Sequence, residues 1–376
     1  MTTIGIICEY NPFHNGHIYH IKKIKELYPE SIIVLVMSGN FTQRGDISII
    51  NKWQKTNIAL NNNIDLVIEL PFVFATQGAD IFAKGAIQIL NNLKVDKLIF
   101  GSESNDIEKL ESCAKIQLTK NYDKKIQEYI NNGINYPTAT TLALKELGGI
   151  PIEDPNDILG VCYIKEIIKQ KSNIKPLTIK RTNEYHNKKL SKISSASAIR
   201  EAIKENKNIK KLIPKESFNA IEKKCFIDNY YKYLKYKIIT ENDLEKYETT
   251  DDKIKYRIKK YIYESNTLEE LIEKTKTKRY TYNRIKRMLL HILCDFTKEE
   301  NKKCKDIHYI RILGFNKKGK NYLNKIKKQT TVPLISKYTK DIMLDIELRS
   351  TCIYSLIFEN QNEIINSEYK NKPVIK

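Results

Sequence analysis

The first hundred residues alternate between continuous apolar runs and stretches whose apolar positions recur every three or four residues. The runs are Ile4–Cys8 (IGIIC), Ser31–Met37 (SIIVLVM), Asp65–Leu70 (DLVIEL, closed by Pro71) and Lys97–Phe100 (KLIF). Strands that are apolar on both faces belong inside parallel sheets, with helices covering each side. The intervening stretches supply those helices: Ile18, Ile21 and Ile24 at a spacing of three, then Trp53–Leu60, then Ala79–Leu90. The β-α-β-α-β-α-β order predicts an α/β fold with a Rossmann-like, doubly wound parallel sheet.

Residues 105–150 read as mostly helical, broken at Gly133 to Pro137. Asp154-Pro155-Asn156-Asp157 is a helix start of the Asx type, leading into Ile158–Lys169. A further strand is expected at Ile174–Ile179, ending at Lys180-Arg181, followed by the helix start Ile193-Ser194-Ser195-Ala196-Ser197-Ala198-Ile199-Arg200. From residue 201 the chain turns to Lys, Tyr, Leu and Ile at helical spacing with few glycines. The expected division is therefore a sheet domain over 1–200 and a mainly helical, basic domain over 201–376. No repeat and no low-complexity linker separates them, so contact and a shared cleft are expected.

Composition narrows the setting. Hydrophobic residues make up 41% of the 376, and no stretch approaches the roughly 20 apolar residues of a membrane span. The first strand begins too close to the start to leave room for a signal peptide. Seven scattered cysteines (8, 113, 162, 225, 294, 304 and 352) include no Cys-x-x-Cys pair, which argues against a disulfide framework or a structural zinc. A cytoplasmic, membrane-free protein is the expectation.

Charge points to a partner. Of a net +20, residues 1–200 hold +5 (25 Lys+Arg against 20 Asp+Glu) and residues 201–376 hold +15 (40 against 25). A basic second half suits a polyanion. Lys, Ile and Asn are abundant together, as an AT-biased genome would make them, so lysine numbers alone say little. Arginine is scarcer, at nine of 65 basic residues, and its clustering is more telling. In Lys278–Arg287 (KRYTYNRIKR), Arg279, Arg284 and Arg287 interleave with Tyr280 and Tyr282, a mixture that offers RNA both phosphate pairing and stacking. Arg284 and Arg287 share a helix face, with Ile285, Leu289, Ile292 and Leu293 on the other. Arg311 lies in a second patch, Tyr309–Lys320, where Gly314 permits a bend and Asn316–Lys320 could track a phosphate backbone.

The chemistry is concentrated at the first strand's exit. Glu9-Tyr10-Asn11-Pro12-Phe13-His14-Asn15-Gly16-His17 breaks the strand and delivers His-x-Gly-His to a helix start. A helix amino terminus offers unpaired N–H groups and a favourable dipole to an anion. Two imidazoles there can donate to oxygens as charge grows on a phosphorus centre. At the second strand's exit lies a polar loop, Ser38-Gly39-Asn40-Phe41-Thr42-Gln43-Arg44-Gly45-Asp46. Ser195, Ser197 and Arg200 are further phosphate candidates.

These strings, with Met37–Gly45 (MSGNFTQRG), Pro155–Gly160 (PNDILG), Ser195–Arg200 (SASAIR) and Tyr309–Phe315 (YIRILGF), resemble the bacterial tRNA(Met) cytidine acetate ligases of the HIGH-motif nucleotidyltransferase superfamily. The similarity spans nearly the whole length. It implies a nucleotidyltransferase-type fold and an ATP-dependent ligase. Acetate and ATP would give acetyl-adenylate and pyrophosphate, and the acetyl group would pass to N4 of the wobble cytidine of elongator tRNA(Met). The implied ATP site comprises Ile7, Cys8, Glu9, Tyr10, Asn11, Pro12, Phe13, His14, Asn15, Gly16, His17, Ile18, Tyr19, His20, Gly101, Asn156 and Arg181, with His14 and His17 catalytic. Gln43 and Arg44 would be candidates for the acetate or γ-phosphate side, and Arg279, Arg284, Arg287 and Arg311 would bind tRNA. Magnesium is expected to accompany ATP without a dedicated protein metal site, and no protein partner is evident. No residue stands out as general base; Glu9 and Asp46 are candidates, each equally readable as structural. The chain departs from the pattern at Cys162, where an acidic residue is expected. Alternatives are a small-molecule adenylyl- or cytidylyltransferase of cofactor synthesis, a non-catalytic RNA-binding protein, and an acetyltransferase using acetyl-coenzyme A.

Overall fold

The computed structural model describes residues 1–134, 136–181, 193–221 and 225–376; Asn135, inside the expected break at Gly133 to Pro137, lies outside them. Five parallel strands form its centre: β1 (Thr3–Cys8), β2 (Ile32–Ser38), β3 (Leu66–Leu70), β4 (Lys97–Ser102) and β5 (Lys175–Lys180), in the order β5-β4-β1-β2-β3. After β3 the chain crosses back to the far side of β1, which makes the β1/β4 boundary the switch point where such sheets open a crevice.

The strands are apolar on both faces because helices cover both. Ile33, Leu35 and Met37 of β2 join one core with Ile21 and Ile24 of α1 (Asn15–Leu27) and Ile58 and Leu60 of α2 (Lys52–Asn61). Ile32, Val34 and Val36 point the other way, toward α3 (Ala79–Asn92) and α4 (Pro155–Lys169). α5 (Ala196–Lys204) packs on the first face through Ile199 and Ile203. Nearly every one of these elements follows the sequence pattern.

The second half does not stay apart from the sheet. β6 (Ile310–Phe315) pairs antiparallel with β3, and β7 (Leu334–Ile335) and β8 (Val374–Ile375) pair parallel with β6. The same half carries the helices α6 (Tyr282–Leu293), α7 (Ile342–Ser355) and α8 (Gln361–Lys370), and α6 and α7 share the core that holds β2 and α3. A boundary at residue 200 therefore marks a change of composition, while the sheet itself continues across it. Gly314, expected at a bend, lies within β6, and Asn316 caps the following helix by accepting from the Gly319 N–H at 3.0 Å.

An ionic cluster sealed from water locks the halves together. Lys52 of α2 lies within 2.6 Å of Glu69 (β3), 3.2 Å of Glu347 (α7) and 2.7 Å of Glu368 (α8). Arg311 of β6 reaches Glu69 at 3.1 Å and Glu368 at 2.6 Å. All five are buried. Arg311 is thus not the tRNA contact expected of it: neighbouring layers cover both faces of β6, so its guanidinium points into protein and pairs there. Among the described residues no helix is long and apolar enough to cross a membrane.

Candidate active site

The β1–α1 turn is shaped by its own side chains. Tyr10 takes a left-handed φ of 50° after β1 ends, and His14 is the N-cap of α1. His14 Nδ1 accepts from the Gly16 N–H at 3.0 Å, and the His14 N–H donates to His17 Nδ1 at 3.2 Å. With both Nδ1 atoms serving as acceptors, each ring carries its proton on Nε2. Burial, then the nearby Arg181 and Arg200, pull the His14 pKa down to about 3. Burial, with His14 and His20 adding, holds His17 well below the ordinary histidine range. The site therefore presents two neutral N–H donors. The glycine between them is required by space, since a Cβ at Gly16 would meet the His14 ring at 2.8 Å.

Within Ile7–His20, Pro12, Phe13, Asn15 and Ile18 turn away from the cleft. Phe13 is wholly buried against Tyr10, the Asn15 amide donates to the Lys211 carbonyl at 2.8 Å, and Ile18 packs on the α1 core. The Asn11 side chain also serves the fold: it donates to the Ile47 carbonyl at 3.2 Å and accepts from the Ile49 N–H at 3.0 Å.

On the β4/β5 side, Arg181 lies 3.5 Å from both Asn156 Oδ1 and Glu103 Oε1. Asp157 accepts from the N–H groups of Glu103 and Ser104 at 3.1 and 2.9 Å, fixing the loop after Gly101. The amino end of α5 closes the cleft next to these groups. Ser195 is its N-cap, accepting from the Ala198 N–H at 3.2 Å. Arg200 donates to the Asn11 carbonyl at 2.9 Å and to Ser197 Oγ at 3.3 Å.

On the β2/β3 side the loop after β2 folds back through a Phe41–Ile47 bridge. The Gln43 N–H donates to Glu9 Oε1 at 2.6 Å, its side-chain amide donates to the Gln77 carbonyl at 3.1 Å, and its own carbonyl accepts from Arg287 Nη1 at 3.4 Å. Burial raises the Glu9 pKa. Asp46 pairs with Lys286 of α6 and lies 3.8 Å from Arg200. Gly45, at φ 76°, sits so close to α6 that a Cβ would come within 2.8 Å of the Arg287 nitrogen. Beneath the loop, Lys55 donates at 2.8 Å to the carbonyls of Glu9, Ser38 and Gly39, tying the exits of β1 and β2 together. Burial lowers its pKa to about 7.

The cleft is open to solvent on one side and about 450 Å³ in volume, within the roughly 300–1,000 Å³ common for small-molecule sites. Sequence reading missed its apolar wall (Ala79, Phe82, Phe100, Leu159 and Tyr163) and Asn283 beside it, because apolar residues in helices and strands read as core. It also placed Arg287 on an outer RNA-facing surface, whereas Arg287 lines this cleft beside Gln43. Arg279 and Arg284 lie outside it, their guanidiniums 5.5 and 5.0 Å from the Tyr280 ring. Cys162 is buried and contacts Asp80 of α3, which accounts for it as a packing residue. Among the described residues no group of three or more His, Cys, Asp or Glu gathers as a metal site.

A family model described as HIGH Nucleotidyl Transferase matches residues 1–368. The tRNA(Met) cytidine acetate ligase of Caldicellulosiruptor saccharolyticus is 39% identical, with 100% of this chain and 98% of that one covered. The chain belongs to the tRNA(Met) cytidine acetate ligase family. The Clostridium acetobutylicum ligase of the same name is also 39% identical, with full coverage of both chains. The crystal structure of apo Thermotoga maritima TmcAL has a TM-score of 0.93 at 31% identity, covering 100% of this chain and 99% of that one. The same protein bound with alpha-thio ATP gives 0.90 at 32% identity, with the same coverage.

Proposed function

We propose that the protein is an ATP-dependent ligase that activates acetate as acetyl-adenylate and acetylates N4 of the wobble cytidine of elongator tRNA(Met). The observation that carries this reading is a pair of neutral imidazole donors at a helix amino terminus, in a cleft whose opposite wall is α6 of the basic half. In the first step an acetate oxygen bonds to the α-phosphorus of ATP while the bond to pyrophosphate breaks. Such chemistry calls for positioning and charge neutralisation more than for a protein nucleophile. The Nε2–H groups of His14 and His17 would donate to phosphate oxygens as charge builds, with Arg181, Arg200 and the α5 amino end alongside. Asn156 and Gly101 would border the nucleoside. Magnesium would come with ATP and be held by its phosphate oxygens.

In the second step the cytidine N4 bonds to the acetyl carbonyl, AMP leaves, and the amine gives up a proton. A mixed anhydride hydrolyses readily, so shelter from water matters as much as catalysis. The wobble base, already in an open loop, can be splayed into the cleft at low cost. Asp46 is engaged by Lys286, which leaves Glu9, at the cleft wall, as the carboxylate for that proton. Arg279 and Arg284, set against Tyr280, would bind tRNA phosphate on the outer face of α6.

The test is to incubate the purified protein with ATP, labelled acetate and bulk tRNA. Label recovered as N4-acetylcytidine, with AMP and pyrophosphate released, supports the proposal. ATP turnover indifferent to acetate and tRNA would point to a small-molecule nucleotidyltransferase, and tRNA binding without turnover to a binding protein.

A further inference from the structure

Four arginines border the cleft, and they differ in what balances them. Arg181 has Glu103 at 3.5 Å, Arg200 has Asp46 at 3.8 Å, and Arg44 lies in the field of Glu9. Arg287 has no carboxylate within 4 Å among the described residues; its guanidinium makes a long hydrogen bond, 3.4 Å, to the Gln43 carbonyl. Burial and the like charge of Arg284 lower its pKa to about 10. A guanidinium partly withdrawn from water without a counter-charge is costly unless an anion completes it.

The triphosphate has its donors elsewhere, at the head of α1 and on the β4/β5 side. Arg287 stands across β1 from those, over the exits of β2 and β3. Gln43 fixes its place there, because one residue touches Glu9 through its N–H, Arg287 through its carbonyl and Gln77 through its side chain. Gln77 is followed directly by Gly78, the N-cap of α3, whose amino end adds a favourable dipole for an anion. Ala79 and Phe82 of the same helix bring an apolar surface to the cleft. A small anion with an apolar tail matches this combination, and the planar guanidinium fork matches a carboxylate.

We propose that Arg287, with the amino end of α3, binds the carboxylate of the acetate substrate. Arg287 is then a substrate-binding residue of the activation step, delivered to the nucleotide half by α6. The inference rests on the ligase reading above. It also explains why the loop after β2 docks on α6 through Gly45 with no space for a side chain: the contact holds the acetate-binding guanidinium over β2.

The experiment is acetate-dependent ATP–pyrophosphate exchange in full-length wild type, Arg287→Gln and Arg287→Lys, with tRNA affinity and melting temperature measured in parallel. Loss of one charged contact should raise the acetate KM of Arg287→Gln by about 30-fold. The ATP KM and tRNA affinity should each stay within about threefold, with Arg287→Lys intermediate. Folded variants with an unmoved acetate KM would overturn the assignment, and a loss confined to tRNA affinity would make Arg287 an RNA contact. Wild-type protein without acetate-dependent exchange would overturn the ligase reading and this site with it.

Discussion

The backbone N–H of His14 donates to Nδ1 of His17, so the two histidines of the turn are fixed as a pair by a bond that a protonated His17 ring could not accept. With the His14 pKa near 3 and that of His17 also depressed, the active form persists far below neutrality. Acetate-dependent exchange should show no histidine limb between about pH 5.5 and 7.5, where an unperturbed imidazole would titrate. A limb near pH 6.5 that disappears in His14→Ala would show that a charged imidazole acts instead. Either His→Ala change should cost about 10²–10³ in exchange rate while leaving tRNA affinity intact.

The same depression bears on stability. His14 must stay neutral in the folded protein, while its unfolded counterpart gains a proton below about pH 6.5. The unfolded state then binds more protons, so stability is lost as pH falls from about 6.5 toward 3. The loss should be about 1.4 kcal/mol per pH unit from this residue. Urea melts at pH 7.5 and 5.5 should show a smaller acid loss in His14→Gln than in wild type; an equal loss would refute a buried neutral histidine.

Glu9 separates the two chemical steps. Glu9→Gln should retain acetyl-adenylate formation within about threefold and lower N4-acetylcytidine formation by about 10²–10⁴, as for loss of a general base. Since burial raises its pKa and the carboxylate is the active form, wild-type transfer should decline on acidification at a higher pH than an ordinary glutamate would give. Equal loss of both steps in single-turnover assays would place Glu9 in nucleotide binding.

Arg311→Ala and Lys52→Met each strip a cation from buried carboxylates and should cost about 3–5 kcal/mol, read as a lower urea midpoint. One shared unfolding transition for both halves is expected. A fully stable Arg311→Ala that binds tRNA poorly would return Arg311 to the RNA surface.

Arg279→Ala/Arg284→Ala should weaken tRNA binding and reduce the slope of log K against log salt by about 1–2, with adenylate formation unchanged. Unaltered affinity would make these arginines an ordinary solvated face.

The parts of the molecule that were legible are the local ones. β1, the Asn11–His17 turn and α1 are consecutive, so the strand, the turn and the helix start that carries His14 and His17 could be read from seventeen residues. Ser195 and Arg200 followed from a helix-start pattern. Long-range partnerships left no such trace: Lys52 meets Glu347 across 295 positions, and only Glu69, an acid within an apolar strand, hinted at a buried cation. Arg311 was misread because YIRILGF was weighed for its charge, when its surrounding isoleucines and leucine describe a covered strand. Arg287 was placed correctly on a helix face with Arg284, but three residues of helix turn are enough to send one inward to the cleft.

The Lys52 cluster also has a consequence during synthesis. A ribosome that has delivered only residues 1–200 has supplied Lys52 and Glu69 but neither Glu347 nor Glu368, and β3 still lacks β6. The sheet of the first half therefore gains its last buried partners only once residues 310–368 have been made. A chain ended at residue 200 would bury Lys52 with Glu69 alone to balance it and leave β3 as an open sheet edge, so such a fragment is expected to be unstable on its own.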